Sequence, residues 1–150
     1  MLSTRLVRLI ETHADRLSQG LMHKFLHDPH CADLHKVSAD ELRARSYEIY
    51  RNLSDWLLGE KRHELERLYA EIGERRAQQG VAFSHLLYAI TATKEHLWHF
   101  LEDEGVFTKP GELFGEMELF RMLELFFDRA LYHAAQGYEK VHTGTVVAAD

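Results

Sequence analysis

The sequence predicts an all-α, single-domain protein of about five helices packed as a bundle. Three observations carry that expectation. Apolar residues recur at helical spacing along the whole 150-residue chain, and no segment alternates apolar and polar for the length of a strand. Two Pro and nine Gly leave few places where a helix must break. Hydrophobic residues at 45% and charged residues at 28% describe a globular chain long enough to bury its own core. A single Cys excludes an internal disulfide.

The first helix covers residues 3–27, with Leu6, Ile10, His13, Leu17 and Leu21 along one stripe. Asp28-Pro29 stops it, because proline disfavours helical geometry in the residue before it. The second helix opens with Ser38-Ala-Asp-Glu41, a capping box in which hydroxyl and carboxylate satisfy free amides reciprocally. Its core side is Leu42, Ile49, Leu53, Trp56 and Leu57, and Gly59 ends it. The third, over residues 60–79, carries Leu65, Leu68, Tyr69 and Ile72 until Gly80 breaks it. The fourth begins near Phe83-Ser84 and buries Phe83, Leu86, Leu87, Ile90, Leu97 and Leu101. A turn around Gly105 and Lys109-Pro-Gly111 leads to the fifth, over residues 112–142.

The fifth helix has two apolar stripes. Met117, Phe120, Leu123, Phe127, Leu131, Ala134 and Tyr138 form one, and Leu119, Met122 and Phe126 the other. A band this wide exceeds one packed face, so this helix either centres the fold or offers a second face to a partner. Leu119, Met122, Phe126 and His133 are the candidate dimer contacts. The domain thus spans residues 1–142, and 143–150 reads as a tail or the start of a linker.

The amphipathic N-terminus lacks the unbroken apolar core of a signal peptide, and no apolar run approaches a membrane span, which predicts a cytoplasmic protein. The formal charge of −6, with Lys and Arg scattered among acids, provides no basic face for nucleic acid or an anionic membrane. There is no G-x-S-x-G elbow, no Gly-rich phosphate loop and no inward carboxylate pair, so no catalytic residue is assigned and a non-enzymatic role is expected.

Chemistry is densest between His23 and His35, where His23, His27, His30, Cys31 and His35 are candidate zinc ligands. His23 and His27 lie one turn apart, and a flexible connection bearing the others could fold back on them. The spacing H-x3-H-x2-H-C-x3-H matches no standard zinc signature, so no metal is assigned. A di-iron site is refused because Glu60 and His63 point away from the Leu65–Leu68–Ile72 stripe. His85, His96 and His99 lie on the outer side of the fourth helix and read as solvated. His13 interrupts a core stripe and is a candidate haem or ligand contact, against the commoner hydrogen-bonded core histidine. Lys94, among Ile90, Leu97 and Leu101, either anchors an anionic ligand or reaches a Glu on a neighbouring helix.

Two blocks resemble a known family. The first is Phe25-Leu-His-Asp-Pro29, Ser38-Ala-Asp-Glu-Leu42 and Leu53-Ser-Asp-Trp-Leu57. The second is Glu74-Arg-Arg-Ala-Gln-Gln-Gly80, Phe83-Ser-His-Leu-Leu87 and Ala92-Thr-Lys-Glu-His96. Over about residues 5–140 the chain resembles the N-terminal sensory domain of RsbR-type stressosome proteins, the RsbT co-antagonist family. Its most telling element is the Arg76-x-x-Gln79-Gly80 step, where Gly80 permits a tight reversal and Arg76 is expected to bind carbonyls ending the third helix.

The resemblance implies an all-α domain, related in some members to the globin fold without haem. It implies a homodimer that passes a signal to an output module, often an anti-sigma-antagonist-like or kinase domain. No such module follows residue 150, so the chain reads as an excised sensor or a stand-alone relative. The alternative expectation is a zinc- or haem-binding helical sensor.

Overall fold

The computed structural model describes residues 4–57, 61–106, 108, 110–111 and 116–149. Among these residues every regular element is helical, as the periodicity requires, but there are more elements than five. The expected first helix is two, α1 (Thr4–Thr12) and α2 (Ala14–His27), separated by His13 at φ −101°, ψ 18°. The break is local and hydrogen-bonded: His13 Nδ1 lies 2.8 Å from the Leu9 carbonyl, and its ring tilts against Phe100. Leu6, Ile10, Leu17 and Leu21 remain one buried stripe across it.

The connection expected to be flexible is a 3₁₀ segment, Pro29–Lys36, that buries Cys31 and Leu34. Asp28 begins it by accepting the His30 backbone N–H, and Val37 leads to α3 (Ala39–Arg51). Ser38 caps α3 as predicted, its hydroxyl accepting from Glu41 N at 3.1 Å. The reciprocal half of the capping box does not form, because the Glu41 carboxylate is turned toward another helix. Asn52 then divides the expected second helix, leaving a short α4 (Leu53–Leu57). The Glu11 carboxylate holds the start of α4, accepting from both the N–H and the hydroxyl of Ser54. The expected stop at Gly59 lies outside the described residues.

α5 (Arg62–Gln78) buries Leu65, Leu68, Tyr69 and Ile72, as predicted. It ends at Gly80, whose φ of +79° is the left-handed conformation that favours glycine. α6 (Phe83–Asp103) follows, ending before Gly105 at φ +76°. The last helix, α7 (Met117–Ala149), continues past His142 through the residues expected as a tail or linker. No described helix is long and apolar enough to cross a membrane.

α7 packs most extensively on α5, and two glycines explain how closely. A Cβ on Gly73 would run into the Ala134 carbonyl, and one on Gly137 into the Ala70 carbonyl. The two helices therefore meet backbone to backbone at two points. Tyr138 fixes the C-terminal part of α7, its hydroxyl donating to the Val81 carbonyl at 2.6 Å. α7 thus packs on α5, α6 and α4.

Candidate functional site: a cavity between α4, α5 and α7

The periodicity of α7 placed two stripes correctly on the helix but assigned the second to a partner. Leu119 and Phe126 are 1% and 3% exposed inside the protomer, so neither presents a surface for a dimer. Their burial follows from α7 being clasped by neighbours on two sides, which takes up the wide apolar band. Met122 and His133 are half-buried, whereas Met117, expected in the core stripe, is exposed. Leu125 and Tyr132 are also exposed.

Met122 and His133 instead line a cavity of about 100 Å³ between α4, α5 and α7. Its apolar wall includes Leu57, Leu65, Tyr69 and Phe126. Its polar groups are Trp56, Glu66, Arg129 and His133. Glu66 Oε1 faces His133 Nε2 at 3.7 Å, and Glu66 Oε2 faces His63 Nδ1 at 3.6 Å. Trp56 Nε1 is buried without an acceptor, and Arg129 has no ion-pair partner among the described residues. An orphaned buried donor costs about 1–3 kcal/mol relative to a paired one. Sequence reasoning assigned Trp56 to the core and passed over Glu66 and Arg129, because the three belong to three different helices.

The histidine-rich stretch does not assemble. His23 and His27 lie side by side on α2, their ring centroids 4.4 Å apart. His30 turns to the Asp28 carboxylate at 2.8 Å and stacks on Tyr88. Cys31 is fully buried, its thiol directed at the carbonyls of Phe25 and Asp28, and burial pushes its pKa up. His35 is exposed beside an apolar hollow formed with Met22, Leu26 and Leu42. Among the described residues no three His, Cys, Asp or Glu side chains converge as a metal requires.

Asp28 organises this corner by other means. It accepts from His30 N, from Tyr88 Oη at 2.9 Å and from Lys24 Nζ at 3.3 Å, which hold its carboxyl well below the usual range.

The remaining candidates have structural partners. His13 is half-buried, its Nδ1 at hydrogen-bond distance from the Leu9 carbonyl and its ring beside Phe100. Lys94 reaches Glu124 on α7 at 3.2 Å, the neighbouring-helix pairing that the sequence offered as one alternative, and Trp98 Nε1 donates to the same carboxylate. Two histidines expected to be solvated are not. His85 Nδ1 accepts from Asp33 N at 3.1 Å. His96 packs on α2 where Gly20 leaves room (a Cβ there would lie 2.7 Å from its ring), and burial lowers its pKa. His99 and His63 are exposed, while Glu60 lies outside the described residues.

Arg76 is corrected as well. It does not bind the carbonyls ending α5; its side chain is 4% exposed and donates to Glu41 Oε2 at 2.6 Å and Gln79 Oε1 at 3.0 Å. Gln79 Nε2 donates to Glu41 Oε2, and Arg75 to Glu41 Oε1 at 2.7 Å. These contacts hold the Glu41 pKa down to about 2, the Arg75 hydrogen bond being the largest cause. Glu41 comes from one of the two blocks quoted above, and Arg76, Gln79 and Gly80 from the other. They meet here.

No curated protein and no solved structure matches the chain. A family model, that of the RsbT co-antagonist protein RsbRD N-terminal domain, matches residues 15–146. That span takes in both blocks, their meeting point at Glu41, and the cavity with all of its lining residues. The chain belongs to the RsbRD N-terminal domain family, the signalling domains of stressosome-associated RsbT co-antagonist proteins.

Proposed function

We propose that this domain is a non-enzymatic sensory module that forms a homodimer through the outward face of α7 and relays a signal along that helix to an output domain or protein partner. The observation that carries the dimer is the pair Leu125 and Tyr132, 40% and 62% exposed and seven residues apart on one face. Arg121 and Asp128, on that same face, are exposed and have no ion-pair partner among the described residues. Apolar side chains flanked by unpaired charges of both signs suit a self-complementary two-fold contact.

The relay is supported by the glycine contacts, which fix α7 against α5 so that displacement at the cavity carries along the helix.

Sedimentation equilibrium tests the dimer. Wild type is expected to associate, and Tyr132→Glu to shift it toward monomer with unchanged helical circular dichroism. A strictly monomeric wild type, or a variant that associates equally well, would contradict the assignment. Phe126→Glu is unsuitable, because it places a charge in the core.

A further inference from the structure

The fold separates the five candidate zinc ligands but leaves two of them side by side. We propose that His23 and His27, on successive turns of α2, form a two-imidazole chelate for a borderline divalent transition-metal ion of the zinc, nickel and copper class. The site shares no residue with the outward face of α7 or with the cavity, and it does not depend on the sensory reading above.

Helix geometry makes the pair. Four residues carry an α-helix about 40° past one full turn and advance it by about 6 Å, so both side chains leave one face of α2. Both residues are exposed, and their ring centroids lie 4.4 Å apart with the planes at 59° to one another. Neither ring has a hydrogen-bond partner among the described residues. This sets the two apart from His13, His30 and His85, whose ring nitrogens lie at hydrogen-bond distance from other groups of the chain. A neutral imidazole without another engagement keeps one nitrogen lone pair free for a metal. Two such lone pairs on adjacent turns supply the two ligands of a chelate.

The surroundings suit a cation. The pair opens on a hollow that Asp28, His30 and Tyr88 also line. Lys24, which would oppose a metal ion, is held by the Asp28 carboxylate at 3.3 Å. His30 is not a third ligand: its Nδ1 faces Asp28 Oδ1 at 2.8 Å, its ring stacks on Tyr88, and no three donors converge among the described residues. Water therefore completes the coordination. Structural zinc is closed by four protein ligands, whereas a site with two exchanges its ion and accepts a further ligand. Imidazole nitrogen selects zinc, nickel or copper over magnesium and calcium, which take oxygen.

Zinc chloride titrated into the full chain, followed through the imidazole resonances, tests the site. His23→Ala and His27→Ala each identify one imidazole by its disappearance. The His23 and His27 resonances are expected to move together and saturate at one equivalent of zinc, while magnesium chloride leaves them in place. Two linked ligands bind about a hundredfold more tightly than either alone, so each variant is expected to weaken zinc by about that factor. His30→Ala and His35→Ala, also at exposed positions, are expected to bind zinc as wild type does. Wild-type affinity in His27→Ala, an equal loss in His35→Ala, or weak shifts spread over the exposed histidines without saturation would each overturn the proposal.

Discussion

At the C-terminal end of α5 one carboxylate, Glu41, gathers Arg75, Arg76 and Gln79 into a network that joins α5 to the start of α3. At the N-terminal end Glu66 stands between two histidines beside a cavity, and the nearby Trp56 Nε1 and Arg129 have no acceptor among the described residues. One helix thus has a closed polar cluster at one end and an open one at the other. Buried polar groups are ordinarily satisfied, and exceptions gather where a ligand completes them. The closed cluster joins residues of both sequence blocks that resemble the family, and its task is to hold helices together. The open cluster borders a cavity.

The contrast depends on α5 and α7 lying backbone to backbone, so the most damaging change is at that contact. Gly137→Val forces its side chain into the Ala70 carbonyl, and the expected loss is about 4 kcal/mol or more, or failure to fold, read by urea denaturation. An unchanged midpoint would mean that the helices do not approach so closely.

Next in size is Glu41→Gln, which leaves the Arg76 guanidinium nearly buried without its counter-charge. About 2–3 kcal/mol is expected, below the cost for a fully buried pair because Glu41 keeps 21% of its side chain exposed. The same residue sets a pH dependence. Its folded pKa of about 2 lies below the ordinary 4.5, so its contribution is fully present above pH 4.5 and is lost as pH falls toward 2. Thermal midpoints of wild type and Glu41→Gln should therefore converge across that window. Parallel curves would remove Glu41 from the explanation.

Smallest is Arg129→Gln at the open end. With no carboxylate partner to lose, its thermal midpoint should stay within experimental scatter of wild type. A large destabilisation would show that the two ends are built alike.

Fold class was legible in the sequence because helical periodicity survives every local break. Ser38 and Gly80 were readable as punctuation, since the first needs only a hydroxyl before a helix and the second only a positive φ. The divisions at His13 and Asn52 were not, because neither residue is a breaker by propensity and the apolar stripe of the first helix continues across its break. Glu41 was read as a local cap because the capping box is a sequence pattern. Its real partners lie more than thirty residues away, and tertiary hydrogen bonds to two arginines outweigh one local amide.

The site was harder still. Periodicity reports which face of α7 is apolar but not how many neighbours cover it, so Leu119 and Phe126 were assigned to a partner. The cavity joins Trp56, Glu66 and Arg129, three residues with no common spacing. Histidine density between His23 and His35 drew attention to a stretch where the backbone disperses all the rings but those of His23 and His27.

Hydrogen–deuterium exchange of wild type and Glu41→Gln tests the two-ended account most directly. Loss of the carboxylate is expected to speed exchange most at the α3 start and the Gln79–Gly80 turn, and least in Leu53–Leu57, in the first half of α5 and across residues 122–133 of α7. Equal acceleration at both ends, or the larger change around the cavity, would contradict the claim that the polar network of Glu41 fastens one end of α5 alone.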